Sequence, residues 1–325
     1  MNAAGSTAAA TRANTSEGGS PHPVVLWRRA AMLEGEERLG EMVGGRYVLR
    51  GILGQGGQSV IYRARDQIHG DDVAVKISRG DDRDGVDRLF REAHALHSLD
   101  GTAALRVLHQ THTADGAACL VTELLQGKDL NEHLRALEVG GHRMSAPEII
   151  ETFDPIVKTL DAAHERGIVH RDIKPENIFV IDAAYGGGVR LLDFGFTRFV
   201  NARPMTAPGL VAGSPMYLAP EAWSGSADAD HRADVYALGV VLYRVLAGHV
   251  PFTGRIHELL QIVRTAPRPG LHALRPDMPE VIDGWVKLAL AIDREDRFQN
   301  ASALWSALLT CFERASAPPV RTIGD

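Results

Sequence analysis

Ile168-Val169-His170-Arg171-Asp172-Ile173-Lys174-Pro175-Glu176-Asn177 decides how this chain is read. Polar and conformationally restricted residues fill it between apolar runs, so it suits neither a core strand nor an ordinary helix. Asp172 offers a carboxylate, and Lys174 a cation two residues on. Asn177 adds an amide oxygen of the kind a hard metal such as Mg²⁺ accepts as ligand. Downstream, Asp193-Phe194-Gly195 places a second carboxylate at the end of the strand-like run Val189-Arg190-Leu191-Leu192.

Working upstream, Leu53-Gly54-Gln55-Gly56-Gly57-Gln58-Ser59 lies between two expected strands. Its glycines permit a tight turn whose N–H groups can approach phosphate oxygens without interference from a Cβ. Alone, it reads as an ordinary hairpin turn or as a phosphate loop. It is not a Walker A turn, because no Gly-Lys-Ser/Thr follows, and not a dinucleotide turn, because no helix follows. Val73-Ala74-Val75-Lys76 ends an apolar strand on a lysine. Pointing inward, that lysine needs an anion, and Glu92 on the next expected helix is the natural partner; the alternative is a surface lysine on a strand edge. A base, a cation, two oxygen ligands and a glycine-rich turn are together the parts that phosphoryl transfer requires.

The pattern around these motifs predicts two lobes. Residues 1–25 read as disordered, being rich in Ala, Gly, Ser and Thr at their start. Residues 26–45 read as a short helical lead-in spaced by Met32, Leu39 and Met42 or Val43 and capped by Gly44-Gly45. Strands are expected at Tyr47-Val48-Leu49, Val60-Ile61-Tyr62, Val73-Ala74-Val75, 105–108 and 118–121, with one helix over 86–99. Helical periodicity dominates beyond Leu130, at 149–166, 231–247, 256–264, 279–291 and 300–313. The expected domain is therefore α+β and covers 46–313, with a β-rich small lobe (46–121), a hinge (122–130), a helical large lobe (131–313) and a flexible tail (314–325).

Composition narrows the function classes. The 325 residues carry 35 Lys+Arg against 41 Asp+Glu, a net charge of −6, with 45% hydrophobic residues. Such a chain lacks the basic stripe of a nucleic-acid or anionic-membrane binder. No apolar run approaches the ~18–20 residues a membrane span needs, and Val24–Trp27 precede Arg28-Arg29, the reverse of a secretory signal. Cys119 and Cys311 lack metal spacing and read as reduced thiols of a cytoplasmic protein. Of the 14 histidines only His170 is given a role, packing beneath Phe194; His164-Glu165 lacks the second histidine of a zinc-protease helix. Gly186-Gly187-Gly188 reads as a turn between two short strands.

With these motifs in order, residues 47–312 resemble the bacterial eukaryotic-like serine/threonine protein kinases. Gly213-Ser214-Pro215-Met216-Tyr217-Leu218-Ala219-Pro220-Glu221 follows, Asp234 in Ala233-Asp234-Val235 fits the buried helix anchoring the catalytic loop, and Arg297 fits the late arginine that pairs with Glu221. The resemblance implies a bilobal kinase fold and phosphoryl transfer from ATP with Mg²⁺, or Mn²⁺ as substitute, to protein Ser/Thr hydroxyls. It implies that the backbone amides of Gly54, Gln55, Gly56, Gly57, Gln58 and Ser59 cover the phosphates, that Leu53 and Val60 are among the nucleotide contacts, and that Ile61, Ala74 and Phe179 enclose adenine. Lys76, positioned by Glu92, would hold the α/β-phosphates. Thr122 falls at the gatekeeper position, the Glu123 and Leu125 backbones would bind adenine, and Asp129 and the Glu176 backbone would meet the ribose. Asp172 would accept the hydroxyl proton, Lys174 would offset γ-phosphate charge, and Asn177 and Asp193 would bind the metal.

The third loop glycine is replaced by Ser59, which stiffens the loop without removing a catalytic group. Lys174 and Ser214 match the Ser/Thr rather than the Tyr pattern, with Ser214 bonding Asp172 and Lys174. Arg171 is the cation expected to meet a phosphate at Thr206, aided by Arg88 or Arg91, after autophosphorylation in a transient homodimer. The rival readings are a kinase-fold binding module without turnover and a small-molecule kinase.

Overall fold

Val73, Val75 and Ile77 are buried while Ala74 and Lys76 are half-exposed, the period-two alternation that makes Asp72–Ser78 a strand with one face in a core. The computed structural model describes residues 36–57, 59–79, 83–194, 215–224 and 230–316. In chain order the small lobe holds strands β1 (Met42–Val43), β2 (Tyr47–Gln55), β3 (Ser59–Asp66) and β4 (Asp72–Ser78). Helix α1 (Arg83–Ser98) and strands β5 (Val107–His112) and β6 (Ala118–Glu123) complete it. The strands form one antiparallel sheet in the order β1-β2-β3-β4-β6-β5. Val43, Tyr47, Leu49, Val60, Tyr62, Val75 and Val121 pack a core on one face of that sheet. Helix α1 lies on the other, with Leu89 and Leu96 joining Leu120.

Strand β7 (Gly127–Asp129) leads directly into α2 (Leu130–Val139). Helix α3 (Ala146–Glu165) starts at a capping box, in which Glu148 N donates to Ser145 Oγ at 3.4 Å and Ser145 N to Glu148 Oε2 at 2.7 Å. Strand β8 (Ile178–Ile181) pairs with β7 on one side and with β9 (Val189–Leu191) on the other in a second sheet, the chain turning between β8 and β9 through Gly186, Gly187 and Gly188. Helices α4 (Arg232–Ala247), α5 (Ile256–Thr265), α6 (Val281–Ala289) and α7 (Ala301–Ser316) build the rest. Helix α4 is apolar around its whole circumference because it runs through the core; from Ala233 to Ala247 only Arg244 escapes full burial. Gly239 sets how closely α6 approaches it, since a Cβ there would lie 3.1 Å from Ala289 Cβ. The result is the bilobal α+β architecture expected.

Several expectations need correction. The lead-in helix does not reach Gly44: its last turn ends by Gly40, and Met42–Val43 is a strand paired with Val48 and Tyr47. Gly44 and Gly45 both have positive φ (56° and 65°) and form the turn of that hairpin, not a helix cap. The strand expected at 105–108 starts two residues later, because Leu105 N donates to Leu191 O of β9 at 3.0 Å and Leu191 N to Ala103 O at 2.7 Å, which places Ala104 opposite Leu191 instead. Helix α2 escaped the periodicity reading, and the last helix runs to Ser316, beyond the expected start of the tail. Residues 1–35 and 317–325 lie outside the described residues.

Candidate active site

Cross-strand register builds the roof of the cleft. Ile61 faces Lys76, and Ala74 faces both Arg63 and Thr122, so Ile61, Ala74 and Lys76 share one sheet face. Val60 belongs to the other face: it is buried in the small-lobe core with Tyr62 and Ala64. Its side chain is therefore turned away from the cleft, contrary to its expected place among the nucleotide contacts; alternation along β3 forbids Val60 and Ile61 from pointing the same way. Gly54 and Gln55 end β2, Gly56 N donates to Ser59 O at 2.9 Å to close the turn, and Leu53 and Gly57 are exposed there. Gln58 lies outside the described residues.

Lys76 Nζ donates to both carboxylate oxygens of Glu92 on α1, at 2.7 and 3.0 Å, and to Asp193 Oδ1 at 2.6 Å. One half-buried cation thus gathers two carboxylates from two lobes. Burial pushes Glu92 up from the ordinary range, opposed by the Lys76 charge, whereas that same charge holds the half-exposed Asp193 below it. Lys76 itself stays protonated, because the two carboxylates outweigh its desolvation.

The catalytic loop is hung from α4. Asp234, fully buried, accepts from His170 N at 2.8 Å and from Arg171 N at 2.7 Å. Arg171 sits at φ 64°, a conformation costing a non-glycine residue roughly 1–3 kcal/mol, so its N–H must be held to persist there. His164 was given no role from sequence, yet its Nε2 lies 2.9 Å from Asp234 Oδ2, a third donor to the anchor. A histidine late in a helix ahead of the loop carries no distinguishing spacing, so only the fold reveals it. His170 packs on Phe194 with ring centroids 4.6 Å apart and its Nε2 bonds Leu192 O at 2.8 Å. Burial keeps His170 neutral by lowering its pKa.

On this support three polar side chains converge. Lys174 Nζ donates to Asp172 Oδ2 at 2.7 Å, and Asn177 Nδ2 to the same oxygen at 3.1 Å and to Asp172 O at 2.8 Å. Asn177 is buried on a one-turn helix (Pro175–Asn177), which points its amide back at Asp172. With Nδ2 so engaged, Asn177 Oδ1 accepts no hydrogen bond among the described residues. That oxygen and the Asp193 carboxylate make a hard donor set suited to a divalent cation.

The nucleotide-facing backbone fits equally. Leu125 N–H and C=O make no backbone hydrogen bond with any described residue, and the Thr122 hydroxyl donates to Glu123 O at 3.3 Å. The Glu123 side chain is occupied elsewhere, accepting from Arg190 Nε at 2.8 Å and Arg106 N at 2.9 Å. Asp129 caps α2 through Glu132 N at 2.8 Å and pairs in register with Phe179 of β8, so the expected ribose and adenine neighbours are adjacent across two strands. Glu176 lies on the same short helix as Asn177. Arg297 grips Glu221 through two bonds of 2.7 Å. Arg91 is exposed, its Nε on Asp87 O at 3.1 Å. Gly195, Thr206 and Ser214 lie outside the described residues.

The model of the protein kinase domain family matches residues 47–304. The chain belongs to that family. It is 36% identical over 281 residues to the serine/threonine-protein kinase PknL of Mycobacterium tuberculosis, covering 85% of this chain and 68% of PknL. It is 30% identical over 279 residues to the serine/threonine-protein kinase PrkC of Bacillus subtilis, covering 85% of this chain and 42% of PrkC. Among solved structures, the PknI kinase domain of M. tuberculosis is similar with a TM-score of 0.63 at 26% identity, covering 84% of this chain and 98% of that domain. These relatives are bacterial, and a protein kinase domain uses ATP and a divalent metal ion. No helix among the described residues is long and apolar enough to cross a membrane.

Proposed function

We propose that this chain transfers the γ-phosphoryl group of ATP to Ser and Thr hydroxyls of proteins, acting in the cytoplasm with Mg²⁺ or, as substitute, Mn²⁺. The observation that carries the reading is the convergence of Asp172, Lys174 and Asn177 within 3.1 Å, beside Lys76 joined to Glu92 and Asp193.

The Gly54–Ser59 backbone covers the triphosphate, and Ile61, Ala74 and Phe179 enclose adenine, which bonds the backbones of Glu123 and Leu125. Asp129 and the Glu176 backbone meet the ribose. Lys76, its ammonium fixed by Glu92, holds the α- and β-phosphates. Asn177 and Asp193 would hold the divalent metal ion, which would supply positive charge against that developing on the phosphates. Asp172 orients the acceptor hydroxyl and takes its proton as the hydroxyl oxygen bonds to the γ-phosphorus and the bridge to ADP breaks. Lys174, on the same Asp172 oxygen, brings a cation to the transferred group. Because the transition state is loose, positioning and charge stabilisation dominate and proton acceptance is the smaller part.

Arg171 carries the regulatory side of the proposal: a phosphate placed on Thr206 by a second copy of the chain in a transient dimer would pair with it. Ser214 closes the acceptor pocket against a bulkier phenol. The test is incubation with labelled Mg-ATP, beside Asp172→Asn, with the modified residues mapped. Label on Ser or Thr in the wild type alone, Thr206 included, is expected. ATP binding with no label on either protein or on a generic basic substrate would overturn the reading. Full activity of Thr206→Ala with Thr206 unmodified in the wild type would overturn the regulatory part alone.

A further inference from the structure

The sheet face that roofs the cleft continues outward past the adenine side. Its rungs run from Ile61–Lys76 through Arg63–Ala74 to Arg65–Asp72, a distance of roughly 13–14 Å at strand spacing. At the outer end lies a groove of about 550 Å³ lined by Arg50, Gly51, Ile52, Leu53, Arg63, Arg65 and Asp72. Strand β2 is irregular at both places where it borders this groove. Its register against β3 shifts between Leu49 and Gly51 and again between Ile52 and Gly54, so Arg50 and Leu53 are the two extra residues. A bulge re-aims the side chain it inserts, and here it adds one guanidinium and one apolar side chain to a single groove.

The charges there do not cancel. Asp72 is shared by two arginines, with Arg63 Nε at 3.0 Å and an Arg65 terminal nitrogen at 3.2 Å. Arg50 pairs with no carboxylate among the described residues. Three guanidiniums against one carboxylate leave two positive charges on a chain whose net charge is −6. A positive groove on a negative protein directs and orients an anionic partner.

The chain's own segments fit poorly. Residues 1–35 carry Arg12, Arg28 and Arg29 against Glu17 and Glu34, residues 195–214 carry Arg198 and Arg203 with no acid, and residues 317–325 are neutral. Asp81 and Asp82 lie outside the described residues, in the sequence after Ser78, the far end of β4, which is about 20 Å from Asp72 by strand rise. Arg63 and Arg65 already hold a carboxylate, so a visiting monoanion gains little by competing, whereas a phosphate dianion can bridge Arg50 and the outer edges of both. We infer that this groove docks an extended segment of another protein that carries a phosphorylated Ser or Thr, with a neighbouring apolar residue against Ile52 and Leu53. The groove adjoins the cleft beyond its adenine side and shares only Leu53 with the expected nucleotide contacts, so a phosphorylated partner is held at the cleft mouth, away from Asp172.

Fluorescence anisotropy with a labelled degenerate peptide library, X-X-X-pSer-X-X-X with X any residue but Cys, tests this on the full chain. The same library with Ser or with Glu at the fixed position provides the comparison. Binding of the phosphorylated library at least tenfold tighter than either is expected. Arg50→Glu/Arg63→Glu should abolish that preference, while Asp172→Asn keeps it and the double variant still phosphorylates a short generic peptide at the wild-type rate. Equal binding of the three libraries, or a preference that survives Arg50→Glu/Arg63→Glu, overturns the inference. Equal binding of the Glu and pSer libraries, both above Ser, overturns its choice of phosphate. Peptide phosphorylation by the wild type is read separately, so failure of the docking groove and failure of the kinase reading are distinguishable.

Discussion

Replacing Arg297 by Met tests how the end of the activation segment is fastened. The Arg297 side chain is completely buried. Its Nε bonds Ala291 O at 2.8 Å, its terminal nitrogens bond Glu221 at 2.7 Å twice, Ile292 O at 2.9 Å and Arg232 O at 3.3 Å, and the guanidinium lies 5.0 Å from the Tyr236 ring centroid. Met fills similar volume without a donor, leaving the Glu221 carboxylate without its cation and three carbonyls without theirs. Removing one partner of a buried ion pair costs about 3–5 kcal/mol. At roughly 2–4 °C per kcal/mol for a domain of this size, Tm should fall by about 6–20 °C in a thermal melt followed by circular dichroism. Glu221→Gln keeps an acceptor and should cost less. The double variant should lose less than the sum of the two singles, with a coupling of about 0.5–3 kcal/mol. A fall under about 2 °C for Arg297→Met, or strict additivity of the pair, would refute the claim that this bridge fastens the segment.

Val60 and Ile61 give opposite expectations from adjacent positions. Val60→Ala should cost about 2 kcal/mol of stability by emptying a buried site while leaving the KM for ATP unchanged, whereas Ile61→Ala should raise that KM several-fold with little change in Tm; steady-state kinetics and urea unfolding on both variants check this. His170 predicts a pH dependence. Its pKa is lowered in the folded state by burial, so below about 6.5 the unfolded chain binds the proton first. The stability it contributes is present above that pH and is lost as pH falls toward the folded-state value. Tm should drop between pH 7 and pH 5 more steeply in the wild type than in His170→Asn, and parallel curves would remove His170 as the cause.

Much of this was legible because kinase motifs are contiguous. His170 to Asn177 sit in one run of sequence, and the one-turn helix and the tether to Asp234 leave them adjacent in space. The Lys76–Glu92 pair was also legible, since a lysine ending an apolar strand ahead of a helix needs an acid there. What sequence reading lost came from specific physics. Gly44 and Gly45 look like a helix stop until their positive φ values are seen to turn a hairpin. Val60 was grouped with its loop neighbours, although strand alternation separates it from Ile61 and was available to say so. Helix α2 was missed although Asp129 followed by Glu132 is a readable N-terminal signature, used here with Glu132 N on Asp129. His164 depends on a contact between distant helices, and the Arg50 bulge on the register of β2 against β3; no local pattern announces either.

The most direct test of the central claim is single-turnover phosphoryl transfer from Mg-ATP to a serine peptide by the wild type and by Asp172→Asn, with ATP affinity measured on the same samples. The account predicts a loss of about 10²–10⁴ in the transfer step, the range for a positioned acid–base group, with ATP affinity unchanged within a few-fold. Transfer at the wild-type rate by Asp172→Asn would contradict it.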